Sequence, residues 1–290
     1  MSRKHPVISV TGSSGAGTTS VKSTFEQIFR RENVRSVAIE GDAFHRYDRA
    51  EMKKVMISEA EKDNPHFSHF GPDANLLAEL EAEFKRYGES GYCRTRTYIH
   101  DQEEAELQST PEGTFTPWQE QTEETDVLFY EGLHGAVVAD DINVARYADL
   151  KIGVVPVINL EWIQKIHRDI GERGYSEDDV VDTILRRMHD YVHYLIPQFA
   201  NTDINFQMAP VVDTSDPTFA RNVPTLDECV VVIRFCDPEG MEIDFPLLLD
   251  KIKNSKMSRR NSIVVPGGKL GQAIELIMTP IFRRLMDGRG

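Results

Sequence analysis

A glycine-rich segment near the start of the chain constrains its fold more than any other feature. Residues 12–19 read GSSGAGTT, and they join the apolar run 7–10 to a helix-prone stretch. A strand, a glycine loop and a helix in this order gather backbone N–H groups and the positive helix end around one point, which suits a phosphate. The spacing matches the phosphate-loop pattern G-x-x-x-x-G-K-[ST], but Thr18 stands where lysine is expected. A purely structural glycine loop is the alternative.

The charge of the chain excludes several classes of partner. Asp and Glu number 47 against 33 Lys and Arg, which gives a net charge of −14 and repels nucleic acid and anionic membranes. No apolar run approaches the ~18 residues that a membrane-spanning helix needs. The cysteines Cys93, Cys229 and Cys236 are odd in number and scattered, which argues against a disulfide framework or a zinc site. We expect a cytoplasmic protein that binds neither nucleic acid nor membrane.

Hydrophobic periodicity predicts an α/β fold. Buried strands are expected at 36–40, 126–132 and 150–157, a half-buried strand with a basic face at 94–101, and later strands at 204–213, 229–235 and 261–265. Helices are expected at 21–31, 48–63, 76–84, from 160 onwards, and at 180–194 and 269–285. The length favours two domains, but no linker or repeat interrupts the chain, so we predict a single domain, 1–290. Its central sheet should be mostly parallel but mixed, with helices on both sides.

Two acids follow or end predicted strands. Ligands gather at the carboxyl ends of the strands in open α/β sheets, which places Asp42 and the basic residues His45, Arg46 and Arg49 beside the glycine loop. A helix cap is the alternative role for Asp42. Glu131 ends the strand 126–132, where an acid contacts the magnesium ion of phosphate-loop enzymes directly or through the loop hydroxyl. A structural hydrogen bond is the alternative for Glu131.

A basic helix predicts a mobile lid over the site, near residues 165–187. Lys165, Arg168 and Asp169 share one helical face, and Arg173 follows between two glycines. A lid must close over a triphosphate, neutralise its charge and reopen, which such a segment suits. An exposed helix with intrahelical ion pairs is the alternative, and the same caution applies to Arg186 and Arg187.

With these motifs in view, the sequence resembles the bacterial phosphoribulokinases nearly from end to end. The matching segments are the glycine loop, GDAFHR at 41–46, RTRTYIHD at 94–101, FYEGLH at 129–134, NLEWIQKIHRD at 159–169, VDTS at 212–215 and SIVVPG at 262–267. Uridine kinase and pantothenate kinase are similar in the glycine loop but not in the other motifs. Bacterial members also carry threonine at the lysine position, so Thr18 does not argue against ATP.

The resemblance implies a three-layer fold like that of the phosphate-loop NTPases. It also implies a kinase that uses ATP and Mg²⁺ to phosphorylate ribulose 5-phosphate at O1. The product, ribulose 1,5-bisphosphate, serves carbon fixation. It implies that Asp42 is the general base and Asp169 a second essential carboxylate. Lys165, Arg168 and Arg173 neutralise charge, and Glu131 and Thr19 hold the metal. The implied ATP site is Gly12, Ser13, Ser14, Gly15, Ala16, Gly17, Thr18, Thr19 and Ser20. The implied sugar-phosphate pocket is His45, Arg49, Tyr98 and His100.

The resemblance also implies regulation. The bacterial form is a homo-oligomer, an octamer, which NADH activates and AMP inhibits. Its effector-binding arginines match Arg31, Arg234 and Arg259, the last after a two-residue insertion near 240–242 is allowed for. The alternative is that each of these three residues is an ordinary surface arginine without a ligand. The disulfide switch of the photosynthetic eukaryotic form is excluded, because its first cysteine is replaced by Ala16 and no cysteine precedes Cys93.

Two other functions remain open on the sequence. The first is a kinase of another small hydroxylated metabolite, such as a uridine-like nucleoside, although His45, Arg49 and His100 favour a substrate that already carries a phosphate. The second is a nucleotide-responsive regulator without catalysis. Retention of Asp42, Glu131 and Asp169 argues against it, because sensing ATP needs none of these carboxylates.

Overall fold

The computed structural model describes residues 4–13, 18–171, 174–220 and 222–288, and its centre is an eight-stranded sheet. The described strands are β1 Val7–Thr11, β2 Ser36–Glu40, β3 Arg94–Thr95, β4 Gln119–Glu120, β5 Val127–Gly132, β6 Val138–Ala139, β7 Ile142–Asn143, β8 Leu150–Val155, β9 Ile204–Pro210, β10 Cys229–Phe235, β11 Lys256–Arg259 and β12 Ser262–Pro266. The strand order in the sheet is β11-β12-β10-β9-β8-β1-β5-β2. The short strands β3 and β4 form one separate pair, and β6 and β7 form another.

The sheet is parallel on one side and antiparallel on the other. The pairs β2–β5, β5–β1, β1–β8 and β8–β9 are parallel, whereas β9–β10, β10–β12 and β12–β11 are antiparallel. The prediction of a mostly parallel, mixed sheet is therefore confirmed. Glu131 is in register with both Val10 and Glu40, so β1, β2 and β5 end at the same edge.

Helices cover both faces of the sheet. They are α1 Thr18–Arg31, α2 Arg49–Ala60, α3 Leu77–Ser90, α4 Gln102–Gln108, α5 Ile158–Gly171, α6 Glu177–Asp190, α7 Phe245–Lys251 and α8 Leu270–Asp287, and a π-helical turn, Tyr191–Leu195, continues α6. The local sequence determines where several of these helices begin or end. Asp48 and Glu51 form a reciprocal capping box at the start of α2, and Gly91, at φ +75°, ends α3.

Alternate residues of the central strands enter two different hydrophobic cores. On one face Phe129 packs with Phe25 and Phe29 of α1, and Phe29 also contacts Phe282 of α8. On the other face Tyr130 packs edge-to-face on Phe84 of α3. A strand buried on both sides reads as a continuous apolar run, because every side chain leaves water, and each such burial contributes about 1.5–3 kcal/mol. The result is three layers, with helices on both sides of the sheet.

The predicted strand at 94–101 is wrong beyond its first two residues. Only Arg94 and Thr95 pair as a strand, and Tyr98 makes one isolated bridge with Phe115. The amides of Thr97 and Ile99 instead bond to Thr116 and Thr114 in an irregular ladder. The guanidinium groups of Arg94 and Arg96 do not only face water, as a half-buried strand predicts, because they also bond inward to Glu83 and to the turn after β2.

The remaining differences are small. The strand predicted at 204–213 ends at Pro210, and the amide of Val211 bonds to Glu228 instead. The exposed excursion predicted at 102–125 contains the short helix α4. The helix predicted at 180–194 starts at Glu177 and changes to π geometry at Tyr191. No helix of the described chain is long and apolar enough to span a membrane.

Candidate active site

Four segments that carry predicted site residues follow neighbouring strands at one edge of the sheet. They are the loop after β1, the turn Gly41–Phe44 after β2, the end of β5, and α5 after β8. Two glycines bring the first acids together. A Cβ on Gly132 would lie 2.6 Å from Cα of Gly41, so only glycine lets the turn that carries Asp42 rest against the end of β5.

The phosphate loop begins as the sequence predicts. The amide of Gly12 donates to the carbonyl of Gly132 (3.1 Å), and a Cβ on Gly12 would lie 2.8 Å from the carbonyl oxygen of Val154. Helix α1 starts at Thr18, whose side chain is buried, and Ser13 is buried as well. The predictions on Ser14, Gly15, Ala16, Gly17 and Arg173 lie outside the described residues. Those on the side chains of Thr19 and Ser20 lie outside the described side chains.

Asp42 lies in the 3-10 turn after β2 and faces two histidines. Its Oδ1 is 3.1 Å from Nε2 of His45, and its Oδ2 is 3.5 Å from Nε2 of His100. Burial would raise the pKa of the Asp42 carboxyl, but His45, His100 and His69 outweigh it and hold the pKa well below its usual value. Asp42 does not cap α2, because Asp48 does. The carboxylate is therefore ionised and ready to accept a hydrogen bond.

The predicted sugar-phosphate residues lie together around Asp42. The Tyr98 ring packs edge-on against His100, with centroids 4.9 Å apart, and against His45 at 6.2 Å. Arg49 opens α2, donates to the carbonyl of His100 (2.8 Å) and pairs with Glu112. The structure thus brings His45, Arg49, Tyr98 and His100 into one pocket.

Arg96 holds this pocket in shape, and the sequence gave it no individual role. Its Nε donates to the carbonyl of Ala43 (2.6 Å) and its Nη2 to the carbonyl of His45 (2.7 Å). The guanidinium lies over the ring of Phe115 at 3.9 Å and that of Trp118 at 4.6 Å. The basic face of 94–101 was the only signal in the sequence.

We expect Arg96→Lys to lower the free energy of unfolding by about 1–3 kcal/mol, because lysine cannot serve both carbonyls and stack in the same geometry. Urea unfolding measures the change. Arg30→Lys is the matched control, since the side chain of Arg30 is exposed and donates to the carbonyl of Glu26 within α1. If Arg96→Lys lowered the free energy of unfolding no more than the control does, Arg96 would not be holding the pocket in shape.

Glu131 meets the requirements for one magnesium ligand. Burial raises the pKa of its carboxyl, while Thr18 and Lys22 oppose that rise. Such a carboxylate gains from a nearby cation. The described residues contain no cluster of three His, Cys, Asp or Glu side chains arranged around a metal. Mg²⁺ usually takes one or two protein oxygens and completes its shell with phosphates and water, so Glu131 and a helix-start hydroxyl fit it.

A second charged cluster lies on α5. Asp169 is only 3% exposed, and Lys165 and Arg168 both pair with its carboxylate, Arg168 at 3.1 Å. Burial would raise the pKa of Asp169, but the two cations outweigh it and lower the pKa. Burial lowers the pKa of Lys165 in spite of Asp169. The ion pairs of this face are intrahelical, as the alternative of an exposed helix with intrahelical ion pairs predicts, but the carboxylate that they share is buried.

Arg187 of α6 is near two acids of the site, Asp42 and Asp169, and the sequence left its role open. It is close enough to Asp42 and to Asp169 to interact with both electrostatically. Burial, with help from Arg186, lowers the pKa of Arg187 to about 10. Its guanidinium lies 5.7 Å from the Phe70 ring centroid, and its buried Nε has no hydrogen-bond partner in the described part of the chain. Arg186 instead donates to the carbonyl of Phe67 (3.0 Å).

The three predicted effector arginines lie elsewhere. Arg234 of β10 and Arg259 of β11 both pair with Ser262 of β12, so they flank it on two sides. Arg31 ends α1 and contacts α8, through an ion pair with Glu275 and a 2.7 Å bond to Thr279. Arg234 and Arg259 are exposed.

Comparisons with known proteins show the family of the chain. The profile of the Phosphoribulokinase / Uridine kinase family matches residues 7–215. A phosphoribulokinase of Nitrobacter vulgaris is 64% identical over 99% of this chain and 98% of its own, and phosphoribulokinase 1 of Cereibacter sphaeroides is 60% identical over 99% and 98%. A solved phosphoribulokinase from Rhodobacter spheroides superposes with a TM-score of 0.90 at 57% identity and covers 99% of both chains. The chain therefore belongs to the phosphoribulokinase / uridine kinase family.

Proposed function

We propose that the chain transfers the γ-phosphoryl group of ATP to O1 of ribulose 5-phosphate and forms ribulose 1,5-bisphosphate. The observation that carries the proposal is the pocket in which His45, His100, Tyr98 and Arg49 surround Asp42 at the strand edge that bears the phosphate loop. The names of the full-length relatives support it.

The side chains divide the reaction between them. Asp42 accepts the proton of the attacking hydroxyl, which becomes acidic as its oxygen bonds to phosphorus. His45, Arg49, Tyr98 and His100 orient the sugar phosphate so that O1 lies in line with the γ-phosphoryl group. Glu131 and Thr19 would hold Mg²⁺, which neutralises charge on the ATP phosphates when bound.

The charged cluster of α5 completes the proposed site. Lys165 and Arg168, with Arg173 beyond the described residues, neutralise charge that develops on the transferred group, and Asp169 holds the first two in place. We further propose one domain with a lid near 165–187, formed from α5, α6 and their connection, and a cytoplasmic location.

The substrate is tested by measuring ADP release with ribulose 5-phosphate, uridine and pantothenate side by side. We expect turnover with ribulose 5-phosphate only, because the histidines and Arg49 suit a substrate that already carries a phosphate. Turnover with uridine would favour the related nucleoside kinase, and ATP binding without any turnover would favour a regulator.

We expect Arg168→Ala to lower kcat by about 10²-fold or more while an ATP analogue still binds almost as well as to the parent, because the arginine acts on charge that appears during transfer. Steady-state kinetics and a titration with a fluorescent ATP analogue measure the two effects. Arg30→Ala, an exposed arginine of α1, is the control. Loss of nucleotide binding with unchanged sugar-phosphate affinity would contradict this assignment.

We also propose that the chain forms a homo-oligomer, an octamer, that NADH activates and AMP inhibits through Arg31, Arg234 and Arg259. Arginine suits a phosphate effector because its planar fork binds two oxygens at once. The joint position of Arg234 and Arg259 beside Ser262 supports a shared anion site. A site between subunits would let one effector influence the whole assembly.

NADH should raise activity at subsaturating ribulose 5-phosphate, dithiothreitol should not, and Arg234→Ala should remove the NADH response without abolishing basal turnover. Initial rates with and without NADH measure this, and mass photometry gives the oligomeric state of both proteins. Wild-type activity that does not respond to NADH would leave the three arginines without this role.

A further inference from the structure

Two acids of the active-site edge lie side by side at the ends of neighbouring strands. Glu40 of β2 and Glu131 of β5 are in register in a parallel pair, and neighbouring strands are about 4.8 Å apart. Phe129, two positions before Glu131, packs on α1, so both acids lie on the face of the sheet that α1 covers. Burial is the main cause of the raised pKa of Glu131, and Glu40 adds to it by repulsion.

Lys22 of α1 supplies a positive charge at this pair. A long side chain on a helix points back toward the start of the helix, and Lys22 lies one turn after Thr18, where α1 begins. Its ammonium thereby reaches the edge where β2 and β5 end, and its Nζ donates to Oε1 of Glu40 at 2.6 Å. Glu131 lies near enough to interact with the same ammonium electrostatically. One lysine therefore serves two acids, and it is bonded to Glu40.

Further acids around the pair keep this lysine charged. Asp42 adds a third negative charge near Glu131, and Glu26, one turn further along α1, adds one near Lys22. Burial would lower the pKa of the Lys22 ammonium, but the surrounding carboxylates outweigh it and raise the pKa. The side chain of Lys22 is 27% exposed, so water screens its bond to Glu40 only in part.

Two free carboxylates at this place would change which metal ion binds. Mg²⁺ keeps several waters and is usually held by one or two carboxylates together with phosphates of the substrate. Ca²⁺ takes about six to eight oxygens in a flexible geometry, so a second carboxylate favours Ca²⁺ over Mg²⁺. It would also fill a position that a phosphate oxygen of ATP needs. A site for Mg²⁺ and ATP therefore gains when one acid of the pair is occupied otherwise.

We propose that Lys22 is a positioning residue of the metal site, which withholds Glu40 from the ion by pairing with it. Glu131 is then the one acid of the pair that the ion meets, and the other positions around the ion remain for water and for the ATP phosphates. The proposal rests on the proposed function for the place of Glu131 beside Mg²⁺ and ATP. It deepens that function, because it says how the strand edge disfavours Ca²⁺ before the nucleotide arrives.

The first test measures metal binding without nucleotide. Mn²⁺ is added to the protein, and electron paramagnetic resonance gives the concentration that stays free. Lys22→Met should bind Mn²⁺ at least about tenfold more tightly than the parent, because it offers two adjacent carboxylates in place of one. Lys22→Gln, which is also neutral, should behave in the same way. Lys22→Arg should match the parent, since its guanidinium still pairs with Glu40.

Further variants locate the expected gain in Mn²⁺ affinity. Glu40→Gln or Glu131→Gln, each added to Lys22→Met, should return the affinity to the level of the parent or below it. Lys62→Met is the matched control, because it removes an exposed lysine that pairs with Glu59 at 2.8 Å. Its Mn²⁺ affinity should equal that of the parent. Circular dichroism checks that each variant is folded.

The second test separates a new ligand from a change of charge. Ca²⁺ and Mg²⁺ are used to displace bound Mn²⁺ from the parent and from Lys22→Met. Loss of the lysine charge alone would strengthen the binding of both ions alike, whereas a second carboxylate ligand strengthens the binding of Ca²⁺ more. We expect the ratio of Ca²⁺ affinity to Mg²⁺ affinity to rise at least about threefold in Lys22→Met.

A parent protein that binds Ca²⁺ much more tightly than Mg²⁺ without nucleotide would overturn the proposal, and this outcome needs no variant to fold. Unchanged Mn²⁺ affinity in Lys22→Met and Lys22→Gln would also overturn it, as would a gain that Glu40→Gln does not reverse or an unchanged ratio of Ca²⁺ to Mg²⁺ affinity. The expected metal binding in a protein that does not phosphorylate ribulose 5-phosphate would refute the proposed function and leave the effect of Lys22 on the metal ion intact.

Discussion

Asp42→Asn is expected to lower kcat by at least about 10²-fold while the binding of an ATP analogue stays almost unchanged. Asparagine has the shape of aspartate and fits between His45 and His100, but it cannot accept the proton of the attacking hydroxyl. In the proposed site the nucleotide is held by the loop after β1 and the start of α1, which the change leaves alone. Steady-state kinetics and a nucleotide titration measure the two quantities.

The control for this change is Asp73→Asn, an exposed carboxylate close to Asn75 in the chain. Its kcat should match that of the parent. If Asp42→Asn kept a near-normal kcat and only raised the KM for ribulose 5-phosphate, Asp42 would be a binding residue, and another group would have to accept the proton.

The position of Asp42 could be predicted because the sequence around it is locally informative. The apolar runs 36–40 and 126–132 are buried on both faces in parallel strands, and such strands end at a common edge. Any acid just after them must therefore lie near the phosphate loop. The same reasoning placed Glu131 correctly at this edge.

Other parts of the pocket depend on contacts between distant residues, which local spacing does not encode. The alternation at 94–101 predicted a strand, but Arg94 bonds to the buried Glu83 of α3, and Arg96 bonds across to Ala43. These partners lie 11 and 53 positions away in the chain. Side-chain bonds therefore shape this segment more than its pattern does.

Asn75 shows the same limit for a single residue. It lies just after the proline-rich break at 64–73, and nothing about one asparagine there indicates a partner. Its three side-chain hydrogen bonds form because the fold places the carbonyls of His69 and Gly71 on one side and His45 on the other. Arg187 is a different case. The sequence shows it as one of two adjacent basic residues on α6, but it does not show that Arg187 is buried near two acids.

Asp169→Ala is expected to lower the free energy of unfolding by about 3 kcal/mol and to lower kcat by about 10²-fold or more. The carboxylate is 3% exposed and pairs with Lys165 and Arg168, and Arg187 lies nearby. Its removal leaves buried cations that repel one another, and Lys165 and Arg168 then lose the geometry that the transfer requires. Urea unfolding and steady-state kinetics measure the two losses.

The dependence of this effect on pH separates charge from packing. The pKa of Asp169 is lowered in the folded protein, so its stabilising contribution is present above the unfolded value of about 3.9 and is lost as the pH falls through the folded pKa. The stability difference between the parent and the near-isosteric Asp169→Asn should therefore shrink below about pH 4. A difference that stays constant down to that range would assign the loss to packing.

A double variant separates stability from catalysis at the same position. Replacing Lys165 and Asp169 together, as Lys165→Met with Asp169→Leu, removes the two most buried charges of the cluster and leaves Arg168, whose side chain is 25% exposed. Replacing a buried ion pair in this way is often neutral or stabilising. We expect this variant to recover much of the stability that Asp169→Ala loses, yet to remain as slow as Asp169→Ala, because no lysine is left to neutralise the transferred group. Recovery of turnover together with stability would show that Lys165 and Asp169 only hold α5 in the fold, and it would leave Arg168 and Arg187 as the cations nearest to the reacting phosphate.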